Sequence, residues 1–297
     1  SCAPESTGQA LDLPVEPSAA PTGPASGLRI CFGAFPRQGT KERAGVQLMF
    51  RPYEGLERLS EETGLKIRGT IVYLRLERQL VADLRAGRRT QYIAEEDVAS
   101  LTHMVERGAV LRIALEPRGL DGYDSMRLLC GSDDALRDIA RTLAQMGPCS
   151  MRVASELNLY DSSYHISTGS PTDMSQLARA FKTVHDVFSR SAPNVAVTFS
   201  PFIPNSAGQF DRQHSLELIA QYVPMVCPHV DMFTGTFYPR SPAEVHGLVA
   251  YAGLIGATGK PFGIDELGCR DEATFRTVMD ALVRGKAGNP RFINFFD

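Results

Sequence analysis

The chain has 297 residues, of which 43% are hydrophobic, and a formal net charge of −3 at neutral pH. That supplies a sizeable core and leaves no electrostatic case for a nucleic acid or an anionic membrane as partner. No apolar run reaches the roughly 18 residues that a membrane span requires.

Residues 1–27 are rich in Pro, Ala, Ser, Thr and Gly, with Pro4, Pro14, Pro17, Pro21 and Pro24. Such a stretch buries too little apolar surface to offset its ordering entropy, so a flexible tether is expected. Cys2 at its head resembles the lipidated first residue of a mature bacterial lipoprotein; the plain alternative is an incidental cysteine. The expectation is a secreted or membrane-anchored protein, in the periplasm or on the cell surface, and a monomer.

From Leu28 to the end the chain alternates strands and helices as one domain. Strands are expected over 28–35, 67–76, 109–115, 151–154, 195–199, 230–237, 263–266 and 292–296. A polar, glycine-containing loop follows the first. Helices are expected over 53–63 (stopping at Gly64), 94–107, 133–146, 174–189, 215–222, 242–255 and 273–283. Ser132 reads as the N-cap of the third of these, with Asp133 and Asp134 in its first turn. Eight nearly continuous apolar strands alternating with helices predict an α/β chain folded as a (β/α)8 TIM barrel over 28–297. The sequence stops on the eighth strand, so the usual last helix is expected to be missing.

The six cysteines, Cys2, Cys31, Cys130, Cys149, Cys227 and Cys269, form no CxxC pair, which argues against a zinc ribbon or a thioredoxin-type site. Cys31 and Cys227 read as core thiols, whereas Cys130 and Cys149 flank one helix and are candidates for a disulfide. The six His residues form no HxH or HExxH pattern, and there is no GxSxG elbow, P-loop or GxGxxG loop. No metal and no cofactor are expected.

What remains is carboxylates at strand ends, where a parallel barrel carries its chemistry. Glu156 ends the fourth strand, in Ser150-Met-Arg-Val-Ala-Ser-Glu-Leu-Asn-Leu-Tyr160, and Asp265-Glu266 end the seventh. Two such groups can protonate a glycosidic oxygen and stabilise or capture the oxocarbenium-like centre, at about 5–5.5 Å apart in a retaining mechanism. The structural alternative is that Glu156 pairs with a buried arginine such as Arg152.

Arg152-Val-Ala-Ser-Glu156-Leu-Asn158 resembles the R-x-x-x-E-x-N signature of glycoside hydrolase family 26, in clan A. Phe50-Arg-Pro-Tyr-Glu with Glu62-Thr-Gly, Leu115-Glu116-Pro117, Asn194-Val-Ala-Val-Thr-Phe-Ser-Pro201, Val230-Asp231 with Tyr238, and Lys260-Pro261 with Glu266 are similar to further family motifs in the same order. The resemblance implies that Glu156 is the acid/base and Glu266 the nucleophile, with a hydrogen bond from Tyr238 to Glu266. It implies that Arg152 and Asn158 position the carboxylates or bind sugar hydroxyls. Glu116 is a lesser candidate for a substrate contact, and Asp265 supports the strand end.

The chain departs from the family's mannanases at Ser155, where they carry His, and at Leu159-Tyr160, where they carry Trp. Tyr160, Tyr164 and His165 are candidate replacement platforms, since there is no Trp in the chain. Two readings follow. One is a retaining, endo-acting hydrolase of a β-linked polysaccharide: β-mannan, β-glucan, xylan or a bacterial exopolysaccharide. The other is a non-hydrolytic carbohydrate-binding barrel in polysaccharide assembly or export.

Overall fold

The computed structural model describes residues 32–35, 41–43, 46–48, 61, 67–159, 171–204 and 212–296. The expected tether with Cys2, Cys31, most of the expected helix over 53–63, and Tyr160, Tyr164 and His165 lie outside the described residues.

The barrel opens with β1 (Phe32–Phe35). Where the sequence reads as a polar loop, the chain instead forms an antiparallel hairpin, β2 (Lys41–Arg43) and β3 (Val46–Leu48). Strands of three residues are too short to show an alternation, so the pattern hides them. β3 also runs antiparallel along β4 (Ile67–Glu77), placing Gln47 opposite Tyr73. On β4 the buried Val72, Leu74 and Leu76 alternate with Tyr73, Arg75 and Glu77, so these last three share the opposite face.

Two short helices escaped the sequence pattern, α1 (Arg78–Arg85) and, further on, the helix over Gly122–Cys130. Between them α2 (Glu95–Glu106) places Glu95, Glu96 and Asp97 in its first turn, where the helix dipole favours acids, and buries Leu101 and Met104. Gly108, at φ +91°, turns the chain back into β5 (Val110–Arg118). α3 (Gly122–Cys130) is capped by Asp121, whose Oδ1 accepts from the Asp124 N–H at 2.7 Å.

α4 (Asp133–Leu143) buries Leu136, Ile139, Ala140 and Leu143 at helical spacing and ends short of Met146. Ser132 does not cap it. The buried hydroxyl donates backwards to the Leu128 carbonyl at 2.5 Å, so it closes α3 rather than opening α4. The candidate disulfide does not form: Cys149, buried on β6 (Cys149–Val153), and Cys130 are both free thiols. Cys130 Sγ instead accepts from Gln176 Nε2 at 3.0 Å. Cys227 is only half-buried against the core.

α5 (Pro171–Ser191) lays Leu177, Phe181, Val184 and Phe188 on the barrel. β7 (Val195–Phe199) and α6 (Arg212–Val226) follow, α6 running beyond both ends of its expected range. The sixth barrel strand is split into β8 (Met232–Phe233) and β9 (Thr236–Phe237) rather than continuous. At the break Thr234 turns its hydroxyl to Asp265 Oδ2 at 2.5 Å, and a Cβ on Gly235 would stand 2.7 Å from the Ile203 side chain. Only glycine lets the backbone pass there. α7 (Val245–Gly256), β10 (Ile264–Leu267), α8 (Glu272–Val283) and β11 (Ile293–Phe296) complete the chain.

Neighbours in the order β8-β7-β6-β5-β4-β1-β11-β10-β9 pair in parallel. Because β8 and β9 are halves of one strand, this path returns to its start and closes an eight-position barrel. Bridges from Phe233 to Phe262 and from Phe202 to Thr236 complete the closure. The fold is the expected (β/α)8 barrel, with its core packed inside the sheet and between sheet and helices.

Candidate active site

β6 is buried along its length, then the chain breaks out of extended geometry. Ala154 and Glu156 hold φ values of +47° and +60°, the left-handed region that side chains with a Cβ rarely adopt. Each such residue costs about 1–3 kcal/mol and persists only where its surroundings over-determine it. Here the Ala154 N–H donates to the Leu115 carbonyl at 2.9 Å and the Glu156 N–H to the Ser200 carbonyl at 2.8 Å. The strain aims the Glu156 side chain across the mouth of the barrel.

Glu266, 5% exposed on β10, is surrounded by donors. Arg152 of β6 pairs with its Oε1 through Nη2. The Tyr73 hydroxyl of β4 donates to the same oxygen at 3.0 Å and itself accepts from Arg152 Nη2 at 2.9 Å. The Tyr238 hydroxyl donates to Oε2. Both phenols are held far above their ordinary range, first by burial; the Glu266 charge adds to this, and at Tyr73 Arg152 opposes it. They therefore stay protonated and remain donors. Three donors on two oxygens form a cradle for a carboxylate anion.

Glu156 sits in a different environment. Its Oε1 accepts from the Thr236 hydroxyl at 2.7 Å, and Thr236 is the register partner of Glu266 across β9 and β10. One hydroxyl-bearing side chain thus lies between the two carboxyl groups. Burial, and then the charge of Glu266, push the Glu156 carboxyl above its usual range; the Thr236 hydrogen bond and Arg152 pull the other way. A Glu156 carboxyl biased towards its protonated form, beside a Glu266 held by three donors, suits general-acid chemistry.

The remaining residues divide. Arg152 is ion-paired with Glu266, and among the described residues no ion pair joins it to Glu156; its Nε and Nη1 make no hydrogen bond within the protein among the described residues. Asn158 does not reach the cleft. It is fully buried, and its amide both donates to the Phe202 carbonyl at 2.9 Å and accepts from the Phe202 N–H at 2.8 Å. It acts at one remove, because the Phe202 ring stacks on Tyr238 with centroids 6.3 Å apart. Glu116 accepts from Ser155 Oγ and from Arg118 Nη2, each at 3.3 Å, so Ser155 joins it to the Glu156 turn. Asp265 faces Thr234 and supports the strand end.

Sequence reasoning missed Tyr73 and Thr236. Tyr73 had a signal, since it heads a polar face with Arg75 and Glu77 that alternates with the apolar Val72, Leu74 and Leu76. Thr236 had none. Among the described residues no three His, Cys, Asp or Glu side chains gather as a metal site would require.

No protein-family model matches the sequence, and no curated protein matches it. Solved structures do. A GH26 β-mannanase from Bacteroides ovatus superposes with a TM-score of 0.59 at 10% identity, covering 90% of this chain and 80% of its own. A Podospora anserina GH26-CBM35 β-(1,4)-mannanase gives 0.51 at 13%, covering 90% of this chain and 56% of its own. A fungal β-1,4-galactanase gives 0.52 at 12%, covering 81% and 80%. At such identities the likeness is one of fold. This chain shares a (β/α)8 barrel with these structures and carries a buried Glu266 beside a half-buried Glu156 at the C-terminal ends of its strands.

Proposed function

We propose that the chain is a retaining glycoside hydrolase, endo-acting on a β-linked polysaccharide. The observation that carries this reading is the pairing of a thrice-held Glu266 with a Glu156 whose carboxyl is biased towards its protonated form. The β-glycan activities named for the neighbouring structures support the substrate class. The residues at Ser155, Leu159 and Tyr160 leave β-glucan, xylan and bacterial exopolysaccharides as candidates beside β-mannan. Residues 1–27 and Cys2 are the ground for a further proposal, export to the periplasm or cell surface.

In the first step a Glu266 oxygen bonds to the anomeric carbon as the glycosidic C–O bond breaks, and Glu156 gives its proton to the departing oxygen. In the second step Glu156, now a carboxylate, takes a proton from water. The water oxygen attacks the anomeric carbon and the bond to Glu266 breaks. Arg152, Tyr73 and Tyr238 hold the nucleophile in line, and the cradle receives the charge again when Glu266 leaves.

The test is a polysaccharide panel resolved by product chromatography, with wild type beside Glu156→Gln and Glu266→Gln. Cleavage of one polymer by the wild type and loss of about a thousandfold or more in each variant is expected. A mechanism-based 2-deoxy-2-fluoro glycoside should label the peptide that carries Glu266. Retardation of a polymer without any cleavage or labelling would favour the binding barrel instead.

A further inference from the structure

β4 and β5 are the longest strands of the barrel, and both continue past the carboxylate layer. Their register places Tyr73 opposite Ala114, Arg75 opposite Glu116, and Glu77 opposite Arg118. Tyr73, Arg75 and Glu77 share one face of β4, and Tyr73 on that face touches Glu266. Glu116 and Arg118 share the matching face of β5 and touch each other at 3.3 Å. Opposite charges therefore alternate both along and across the strand pair. Four residues at about 3.3 Å each carry this wall roughly 13 Å outward from the Tyr73 layer.

At the outer end Arg75, Glu77, Arg118 and Gln79, in the first turn of α1, line an open depression of about 480 Å³. Among the described residues no aromatic side chain lines it. It joins the catalytic layer twice, through Tyr73 on β4 and through Glu116, which accepts from the Ser155 that precedes Glu156.

We propose that this wall is a sugar subsite that grips through its guanidinium and carboxylate groups and takes a neutral, hydroxyl-rich pyranose of the polymer. Paired guanidinium and carboxylate groups present donors and acceptors side by side, the pattern that vicinal hydroxyls match. Among the described residues the two arginines of this strand pair stand against two carboxylates, Glu77 and Glu116, which favours a neutral sugar over a uronate. The inference rests on the carbohydrate reading above and adds the location and charge class of a binding subsite.

The experiment is affinity gel electrophoresis of the full chain with glucomannan, β-1,4-galactan or alginate in the gel, comparing wild type, Arg118→Ala and Gln79→Ala. Both positions are solvent-exposed, and thermal melting establishes that each variant is folded. The expected result is retardation of the wild type by at least one neutral polymer, with affinity weakened about tenfold in Arg118→Ala and less in Gln79→Ala. Wild-type binding to a neutral polymer that survives both substitutions would overturn the subsite while sparing the hydrolase reading. Retardation by alginate alone would overturn its neutral character. A wild type that binds and cleaves none of the three would overturn the subsite, and with labelling also negative the hydrolase reading falls with it.

Discussion

Arg152 pairs with Glu266 across the barrel and not with Glu156, four residues further along its own chain. Both partners are nearly inaccessible to water, so the pair is a fully desolvated one. Breaking such a pair by removing one partner costs about 3–5 kcal/mol, because the other charge is left buried without compensation. Arg152→Met should therefore lower the urea unfolding free energy on that scale. Adding Glu266→Gln to Arg152→Met should recover a large part of the loss, and a double-mutant cycle measures the coupling. Additive losses would mean that the two side chains do not share a buried ion pair.

Thr236 contributes to the site through the single hydroxyl it donates to Glu156. That bond favours the charged form of Glu156 and so opposes the rise caused by burial and by Glu266. Thr236→Val keeps the shape and deletes the donor. On the proposed mechanism, whose first step uses the acid form, the alkaline limb of the kcat/KM profile should move to higher pH in the variant. A limb that stays in place or moves down would show that Glu156 is not the group titrating there.

How much of this was legible in the sequence depends on what each feature is made of. The barrel was readable because its strands, apolar along most of their length, alternate with helices of clear period, and the two glutamates because each ends such a strand. The β2–β3 hairpin was not, because three-residue strands carry no period. The break between β8 and β9 was not, because Gly235 is excluded from bearing a side chain by Ile203, a contact made through the fold. The same holds for Ser132, whose residue type suits a cap but whose hydroxyl is claimed by Leu128. Tyr73 and Thr236 reach the carboxylates only after closure brings β4 and β9 beside them.

Asn158 illustrates the difference between a motif position and a contact. Its amide satisfies both main-chain groups of Phe202, and Phe202 stacks on the tyrosine that holds Glu266. Asn158→Ala strands a buried N–H and C=O, at about 1–3 kcal/mol each. The expected result is a melting temperature well below wild type, together with a fall in kcat that exceeds the change in KM. A variant with a raised KM and unchanged kcat and stability would instead place Asn158 in direct contact with the sugar.

The raised carboxyl of Glu156 also makes a stability prediction of definite sign. Below the ordinary glutamate pKa of about 4.3 the group is protonated in both folded and unfolded chains and imposes no penalty. As pH climbs from there to the raised folded-state value, the unfolded chain releases its proton while the folded chain retains it, so stability falls. Above the raised value the loss is complete. Glutamine is neutral throughout and keeps an oxygen for the Thr236 hydroxyl, so Glu156→Gln escapes the penalty. This variant should melt above the wild type near neutral pH, by about 2–4 °C if the relief is on the order of 1 kcal/mol. The two melting curves should converge below pH ~4. A variant less stable than wild type at neutral pH would mean that Glu156 is held there as a comfortable anion, and that the acid in this site is another group.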